Sequence, residues 1–360
     1  MDRSAAVSED YLKLTSYFGE RLRHQNHFVA DALLDLYGSS SVATSVILRG
    51  IASFGPRHLL RGDETLSMSE DLPVAVAAVD TARKIAGLAE QAIAMTPRGF
   101  VTLERARLVG RSAAAPTPDA AKLTIYIGRQ HRSSGQPAHR AVCDLLFRNG
   151  FAAATVLLGL DGTAHGQRHR ARFFSRNTDV PLMVIAIGTA DQVDRTIPEV
   201  ESLLTRPLLT VERAQLCKRD GHLVQRPSPL PRTDGNGLAL WQKLMIYTSE
   251  SALYEGVPIH RAIVRRLRDS NAASGATVLR GLWGFHNGRK PHGDKLFQLT
   301  RQVPVVTIVI DTPDRIAGCF AVVDTLTSAH GLVTSEMVPA VVSIDGGQRR
   351  GGAQLAQQDY

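Results

Sequence analysis

The sequence predicts an α+β protein: three tandem ferredoxin-like (βαββαβ) domains folded together as a single-chain pseudo-trimer. Three observations predict it. One pattern opens three times, as KLTSYFGE from Lys13, KLTIYIGR from Lys122 and KLMIYTSE from Lys243. Later landmarks keep step with it. VILRG ends at Gly50, TVLLG at Gly159 and TVLRG at Gly281, while LPVAVAAVDT, VPLMVIAIGT and VPVVTIVIDT place prolines at Pro73, Pro181 and Pro304. A period of roughly a hundred residues suits a domain and is too long for a solenoid repeat. The third observation is burial. Both faces of VPVVTIVI and LPVAVAAV are apolar, as in a sheet covered on both sides, and three such sheets can cover one another.

The elements follow in order within each copy. KLTIYIG alternates apolar and polar side chains, as a half-buried strand does. In PIHRAIVRRL the residues Ile259, Ile263 and Leu267 share one helical face, and Pro258 suits a first turn. ATVLRG is a β-branched run closed by glycine, and a polar, Gly-rich, basic loop follows it. PVVTIVIDT is the third strand, a second helix lines up Ile316, Phe320 and Val323, and GLVTSEMVPAVV returns as the last strand. GFVTLERARL and PLLTVERAQL are its counterparts. Asp80 and Asp311, ending the third strand, are expected to cap the second helix, with Gly188 in that place in the second copy.

These signals divide the chain into domains at 11–109, 122–217 and 241–345. Residues 110–121 and 218–240 read as Pro, Gly and Ala-rich linkers, and the tail 346–360 as disordered. The 360 residues are 44% hydrophobic and 21% charged, a globular balance, and no apolar run approaches the roughly 20 residues of a membrane span. The acidic N-terminal stretch lacks a secretory signal, so the expected location is cytoplasmic. Cys143, Cys217 and Cys319 do not match from copy to copy and read as small buried hydrophobes, neither a disulfide frame nor a metal site. The formal charge of +8 suits an anionic partner.

ATSVILRGIASFG and LSMSEDLPVAVAAVDT in the first copy, with TVLRGLWGF and VPVVTIVIDT in the third, resemble the family of domain of unknown function 190, whose fold is like that of PII signalling proteins. The resemblance spans nearly the whole chain outside linkers and tail. It departs in the second copy, where Leu158 replaces the arginine and TAHG replaces SFGP. PII proteins and their relatives are trimers of the βαββαβ unit, so the resemblance also implies the threefold arrangement and a chain that is monomeric while mimicking a homotrimer. It implies nucleotides in the clefts between units, a mobile loop that docks partner proteins, and a regulatory signalling role. It further implies a link to fluoride-exporting membrane channels. The glycine-bracketed turns of the cleft would be Gly50 to Gly55, Gly159 to Gly162 and Gly281 to Gly284. Where PII proteins cradle ATP phosphates on a glycine-rich basic loop, this chain has TPRGFVT, TRPLLT and HGLVT, a thin cradle. The expected ligand is a small anion of the AMP class, with no tightly bound cofactor.

Arg49, Gly50, Gly55, Arg280, Gly281 and Gly284 are therefore the candidate ligand-binding residues. Arg49 and Arg280 could clamp a phosphate or carboxylate, or equally form interdomain salt bridges. The candidate docking residues are Arg57 and His58 in the first loop, Arg168, Arg170 and Arg172 in the second, and Arg289 and Lys290 in the third. His27, His139 and His260 recur near the first helices and read as structural. His165 and His169 have metal-ligand spacing but no helix and no supporting carboxylate or thiolate. No nucleophile elbow, Walker loop or HExxH is present, so a binding role is expected in place of catalysis. A ligand-independent docking scaffold is the alternative. An RNA-recognition module shares the element order, but PVAVAAVD, PLMVIAIG and PVVTIVID carry no aromatic side chain to stack a base.

Overall fold

A computed structural model describes residues 11–62, 71–108, 120–164, 167–170, 180–205, 207–286, 288–293, 303–345 and 347–358. Each repeat contributes four long strands and two helices. The first repeat has strands Tyr11–Gly19, Thr44–Phe54, Pro73–Thr81 and Gly99–Leu108, with helices α1 (Val29–Ser39) and α2 (Ala82–Ala94). The second has Ala120–Gly128, Ala153–Ala164, Pro181–Gly188 and Leu208–Arg219, with α3 (Ala138–Arg148) and α4 (Ala190–Leu203). The third has Trp241–Ser249, Ala276–His286, Pro304–Asp311 and Leu332–Val338, with α5 (Ile259–Asp269) and α6 (Pro313–Leu326). All pairings are antiparallel, in the order second, third, first, fourth strand within the first repeat. Before each first helix stands a small hairpin whose two turn residues have positive φ: Gln25–Asn26, Ser134–Gly135 and Glu255–Gly256. Such turns match the twist of tight hairpins.

Strand alternation divides the apolar residues between two sides. Val74, Val76 and Ala78 join the helices of their own repeat in one core, while Ala75, Ala77 and Val79 point to the other face. There they meet Met183, Ile185 and Ile187 of the second repeat and Val306, Ile308 and Ile310 of the third. The three sheets thus bury their helix-free faces in one shared core, which explains why these strands are apolar on both sides.

The long second strands stitch the repeats into a closed ring. The end of the first repeat's strand pairs with the start of the third's (Phe54 with Ala276), the end of the third's with the start of the second's (Phe285 with Ala154), and the end of the second's with the start of the first's (Thr163 with Ser45). All three seams carry a register shift. Phe54 and Ile51 consequently lie in the core of the third repeat, and Phe285 in that of the second. Gly50 explains its own glycine: a Cβ there would stand 2.7 Å from Pro73 Cγ and 2.8 Å from the Val278 carbonyl oxygen. Gly281 meets Pro304 in the same way, at 2.8 Å.

A ring of charges lies on the shared inner side. Lys13 bridges Glu104 and Glu212, Lys122 bridges Glu212 and Glu336, and Lys243 bridges Glu336 and Glu104. Each lysine therefore joins the glutamate of its own repeat to that of another, and all six are buried. Burial opposes charge on Lys13, yet the Glu104 and Glu212 carboxylates overcome it and push its pKa up to about 12. Glu104 moves the other way: burial opposes its charge, and Lys13 and Lys243 hold it far below the usual carboxylate range. Among the described residues, the three glutamates taken by themselves have the spacing of a cation site. Three interleaved ammonium groups already balance their charge.

Several expectations are corrected. The tail forms a strand, Gln348–Gly351, paired with Ala340–Asp345; the Ala356 amide donates to the Pro339 carbonyl, and Ala356 is buried. The 218–240 segment begins inside the last strand of the second repeat, turns at Asp220–Gly221 and pairs back through His222–Leu223. It is also held by Gln215, whose Nε2 donates to the Arg226 carbonyl. The third domain's boundary at 345 accordingly falls inside a hairpin. Of the first linker, residues 110–119 lie outside the described residues, and Ala120 and Ala121 already belong to the second repeat's first strand. Asp80 and Asp311 do not cap helices: Thr81 caps α2, and the aspartates accept from backbone amides just before their repeats' second strands, Asp80 from Ala43, one residue before Thr44, and Asp311 from Ser274, two residues before Ala276. Gly188 lacks that carboxylate because the Phe151 ring would stand 2.9 Å from a Cβ. His139 and His260 are the second residues of α3 and α5, whereas His27 is exposed before α1, so Ala30 takes the equivalent place. The cysteines are buried and free, and among the described residues no helix is long and apolar enough to cross a membrane.

Candidate functional site

The seam between the first and third repeats opens into a cleft of ≈ 230 Å³. Its walls are apolar: Phe18, Leu22 and Phe54 from the first repeat, Ile308 and Ile310 from the third. Gly55 and Pro56 form its lip where the long second strand ends. Three arginines rim it. Arg57 and Arg61 come from the start of the first long loop, and Arg98 from the TPRGF turn before the last strand. The ring closure of the second strands makes this site, because it lays the third repeat's Ser274–Thr277 beside the first repeat's Ser53–Phe54.

The arginines hold carboxylates that belong to the chain itself. Asp345, at the turn of the C-terminal hairpin, places Oδ1 3.3 Å from both Arg57 and Arg98, and Arg57 Nε donates to Oδ2 at 3.4 Å. These contacts are long for charge-assisted bonds, and all three side chains are partly exposed. Asp71 stands 3.8 Å from Arg61 and accepts from the Arg21 amide at 2.7 Å. The cleft thus has an apolar floor and a paired cationic rim bridged by one loosely held carboxylate. That arrangement can take a flat apolar group bearing an anionic substituent.

The sequence-predicted residues separate around this site. Gly55 and Arg57 line it. His58, at positive φ, stacks on Phe54 with ring centroids 6.0 Å apart. Arg49 and Arg280 instead pair within their own repeats, with Glu20 at 2.7 Å and Glu250 at 2.6 Å, so neither forms an interdomain bridge through these contacts. Gly50 and Gly281 serve strand packing, and Gly284, at φ +155°, lies where the third repeat's strand crosses Ala154. Strand register makes Ser53, not Gly55, the counterpart of Gly162 and Gly284. Arg168 is not a free docking charge: it pairs with Asp161 at 2.8 Å and with Asp31 and Asp35 of α1. Arg170 ends the short strand Gln167–Arg170; Arg172 lies outside the described residues. Arg289 and Lys290 are exposed. Arg61, Arg98 and Asp345 were missed in the sequence, although TPRGF was visible as the thin counterpart of a phosphate-binding loop.

The other two seams are filled differently. Between third and second repeats, Arg140 of α3 lies 4.3 Å over the Trp283 ring, and Phe285 meets Phe147 edge-on. Between second and first, the Ser45 and Thr163 hydroxyls are 2.9 Å apart, and Arg168 closes the edge.

Comparison with known proteins matches this architecture. The family model of domain of unknown function 190, described as an uncharacterized ACR, matches three times, at residues 11–108, 120–216 and 241–340. A UPF0166 protein of Aquifex aeolicus (strain VF5) is 32% identical over 99 residues, which cover 27% of this chain and 90% of that relative. A relative of that length corresponds to one repeat.

Proposed function

For a chain that belongs to the DUF190 family and carries three copies of its domain, we propose a regulatory, ligand-sensing role of the PII kind. In this reading the three α+β units are ferredoxin-like and form a single-chain pseudo-trimer. A small anionic ligand of the adenine-nucleotide class binds in the cleft between first and third repeats, and the bound state is read by a partner protein. The family resemblance points to an ion-export channel as that partner's class.

The observation that carries the reading is the cleft with its arginine rim. Its ≈ 230 Å³ is smaller than the roughly 300–1,000 Å³ of drug-sized pockets. A nucleobase and part of a ribose would occupy the apolar floor, leaving phosphate at Arg57 and Arg98. The ligand would displace Asp345, which already presents a carboxylate to both guanidinium groups. Because Arg57 begins the segment leading into the first long loop, exchanging Asp345 for phosphate changes the contacts at that loop's base. A difference in contacts between two states is what lets a ligand shift their populations. This is a binding role, with no reaction step assigned to the cleft.

The test is a thermal-shift screen of the full chain against AMP, ADP, ATP and cyclic nucleotides. A ligand that binds only the folded state raises apparent stability by about 2.7 kcal/mol at a hundredfold excess over Kd. A concentration-dependent shift abolished by Arg98→Ala supports the proposal. No shift with any nucleotide favours the second reading, a ligand-independent docking scaffold, for which the exposed Leu59 and Leu60 beside the cleft supply an apolar contact.

A further inference from the structure

The cleft between first and third repeats holds a second carboxylate besides Asp345, and the two are seated differently. Asp71 lies over the end of the first repeat's first strand: a Cβ on Gly19 would stand 1.9 Å from Asp71 Oδ2 and 2.4 Å from its Cγ. Glycine leaves room for that seat, and the third repeat has Ser249 in the place of Gly19. One carboxylate oxygen is fixed from behind, because Oδ1 accepts from the Arg21 amide at 2.7 Å. Among the described residues Oδ2 takes no hydrogen bond. Arg61, which pairs with it, stands 3.8 Å away, so it offsets the charge without occupying the acceptor.

Strand order sets the distance between the two carboxylates. The last strand of the first repeat runs beside its first strand, and the C-terminal hairpin adds on the far side of the last strand, with Ile344 opposite Gly99. Asp71 therefore lies over the first strand and Asp345 at the turn of a segment two strands away, roughly 10 Å at about 4.8 Å per spacing. Asp345 marks the anion position, since Arg57 and Arg98 already hold its carboxylate. Asp71 repels a phosphate, which orients an anionic ligand with its phosphate at the other end. A nucleoside monophosphate laid that way passes its ribose hydroxyls before it reaches Asp71 and meets Oδ2 with the edge of its base.

We propose that Asp71 is the residue that reads the base: Oδ2 accepts a hydrogen bond from an exocyclic amine and so selects a 6-aminopurine nucleotide over a purine that lacks this donor. The selection rests on the reading of the cleft as a nucleotide site. A hydrogen bond to a charged acceptor corresponds to about tenfold or more in affinity. Asp71 is partly exposed, so water takes part of the amine's place when the amine is missing, and the discrimination stays far below that of a fully buried site.

The experiment titrates the full chain by calorimetry with AMP, with purine riboside 5′-monophosphate, which lacks the amine, and with 2′-deoxy-AMP, which lacks a ribose hydroxyl. AMP should bind about tenfold tighter than purine riboside 5′-monophosphate, and 2′-deoxy-AMP within about twofold of AMP. Asp71→Asn keeps the shape but reverses the hydrogen bond. The Arg21 amide needs an acceptor, so the new carboxamide turns its oxygen there and presents its NH2 to the cleft. The preference for AMP over purine riboside 5′-monophosphate should then fall to within about twofold, with far-ultraviolet circular dichroism unchanged. Equal affinity of the parent protein for these two nucleotides, or a preference that survives in Asp71→Asn, would overturn base reading while leaving the nucleotide site standing. A tenfold loss confined to 2′-deoxy-AMP would overturn it in favour of the ribose. Absence of binding by all three to the parent protein would remove the nucleotide site and this selection with it.

Discussion

Lys13 of the first repeat donates hydrogen bonds of 2.8 Å to both carboxylate oxygens of Glu212, 199 residues away in the second. That contact is one side of the six-membered charge ring, and it links the order of the repeats to the stability of the whole chain. Removing one partner leaves an uncompensated charge in the shared core. Lys13→Met and Glu212→Gln should each destabilise the protein by about 3–5 kcal/mol, read from urea unfolding midpoints. The pH sign follows from the directions of the shifts. Glu104 is depressed, so its contribution is present above the ordinary pKa of 4.5 and is lost as pH falls. Lys13 is raised, so its contribution is present below 10.5 and is lost as pH rises through about 12. A Lys13→Met midpoint within error of the parent would contradict the account of the ring.

Gly50→Ala should cost about 1–3 kcal/mol, because its new methyl would press on Pro73 and the Val278 carbonyl across a repeat seam. Gly55→Ala should be near neutral, since no atom lies within 4 Å of a Cβ there. Thermal denaturation of the two variants side by side checks this contrast, which separates two glycines that the sequence places in one turn.

Asp345→Ala should tighten nucleotide binding about three- to tenfold by removing the internal competitor for Arg57 and Arg98. Arg98→Ala should weaken it about tenfold or more. Competition binding with a fluorescent adenine nucleotide distinguishes the two. If Asp345→Ala weakened binding, Asp345 would be a supporting residue of the site and not an occupant of the anion position.

His139 is buried, and desolvation, with Arg140 beside it, lowers its pKa from 6.5 to about 4. Between those values the unfolded chain binds the proton and the folded chain does not, so stability falls as pH drops from 6.5 to 4. The loss is on the order of 1–2 kcal/mol once partial solvation is allowed for. His139→Gln should flatten that part of the pH–stability curve in chemical denaturation.

Much of the fold was legible because its signals are local and tripled. Ile259, Ile263 and Leu267 read as one helical face and are buried in a single core. The apolar two-faced strands correctly demanded cover on both sides. The charge ring was legible in part: Lys13, Lys122 and Lys243 are the third residues of the matching strands, while Glu104, Glu212 and Glu336 recur in VTLER, LTVER and VTSEM. A charge at an apolar-flanked strand position in every copy was the signal, but its partners are set by the ring closure, which no single repeat encodes.

The site was less legible for the same reason. Arg49 and Arg280 looked available because Glu20 and Glu250 approach them only through the folded sheet. Arg168 looked solvated until α1 of another repeat supplied Asp31 and Asp35. Asp345 fell just before a tail read as disordered from its polar composition. The hairpin there is built by main-chain pairing, which such composition does not reveal.

The central claim is that the seam between first and third repeats binds a small anionic ligand. Calorimetric titration of the full chain with AMP, ADP and ATP tests it most directly, because it reads stoichiometry and affinity together. The account predicts one equivalent per chain for at least one of them, lost in Arg57→Ala and Arg98→Ala. Three equivalents per chain, or no heat of binding with any of the three, would contradict it.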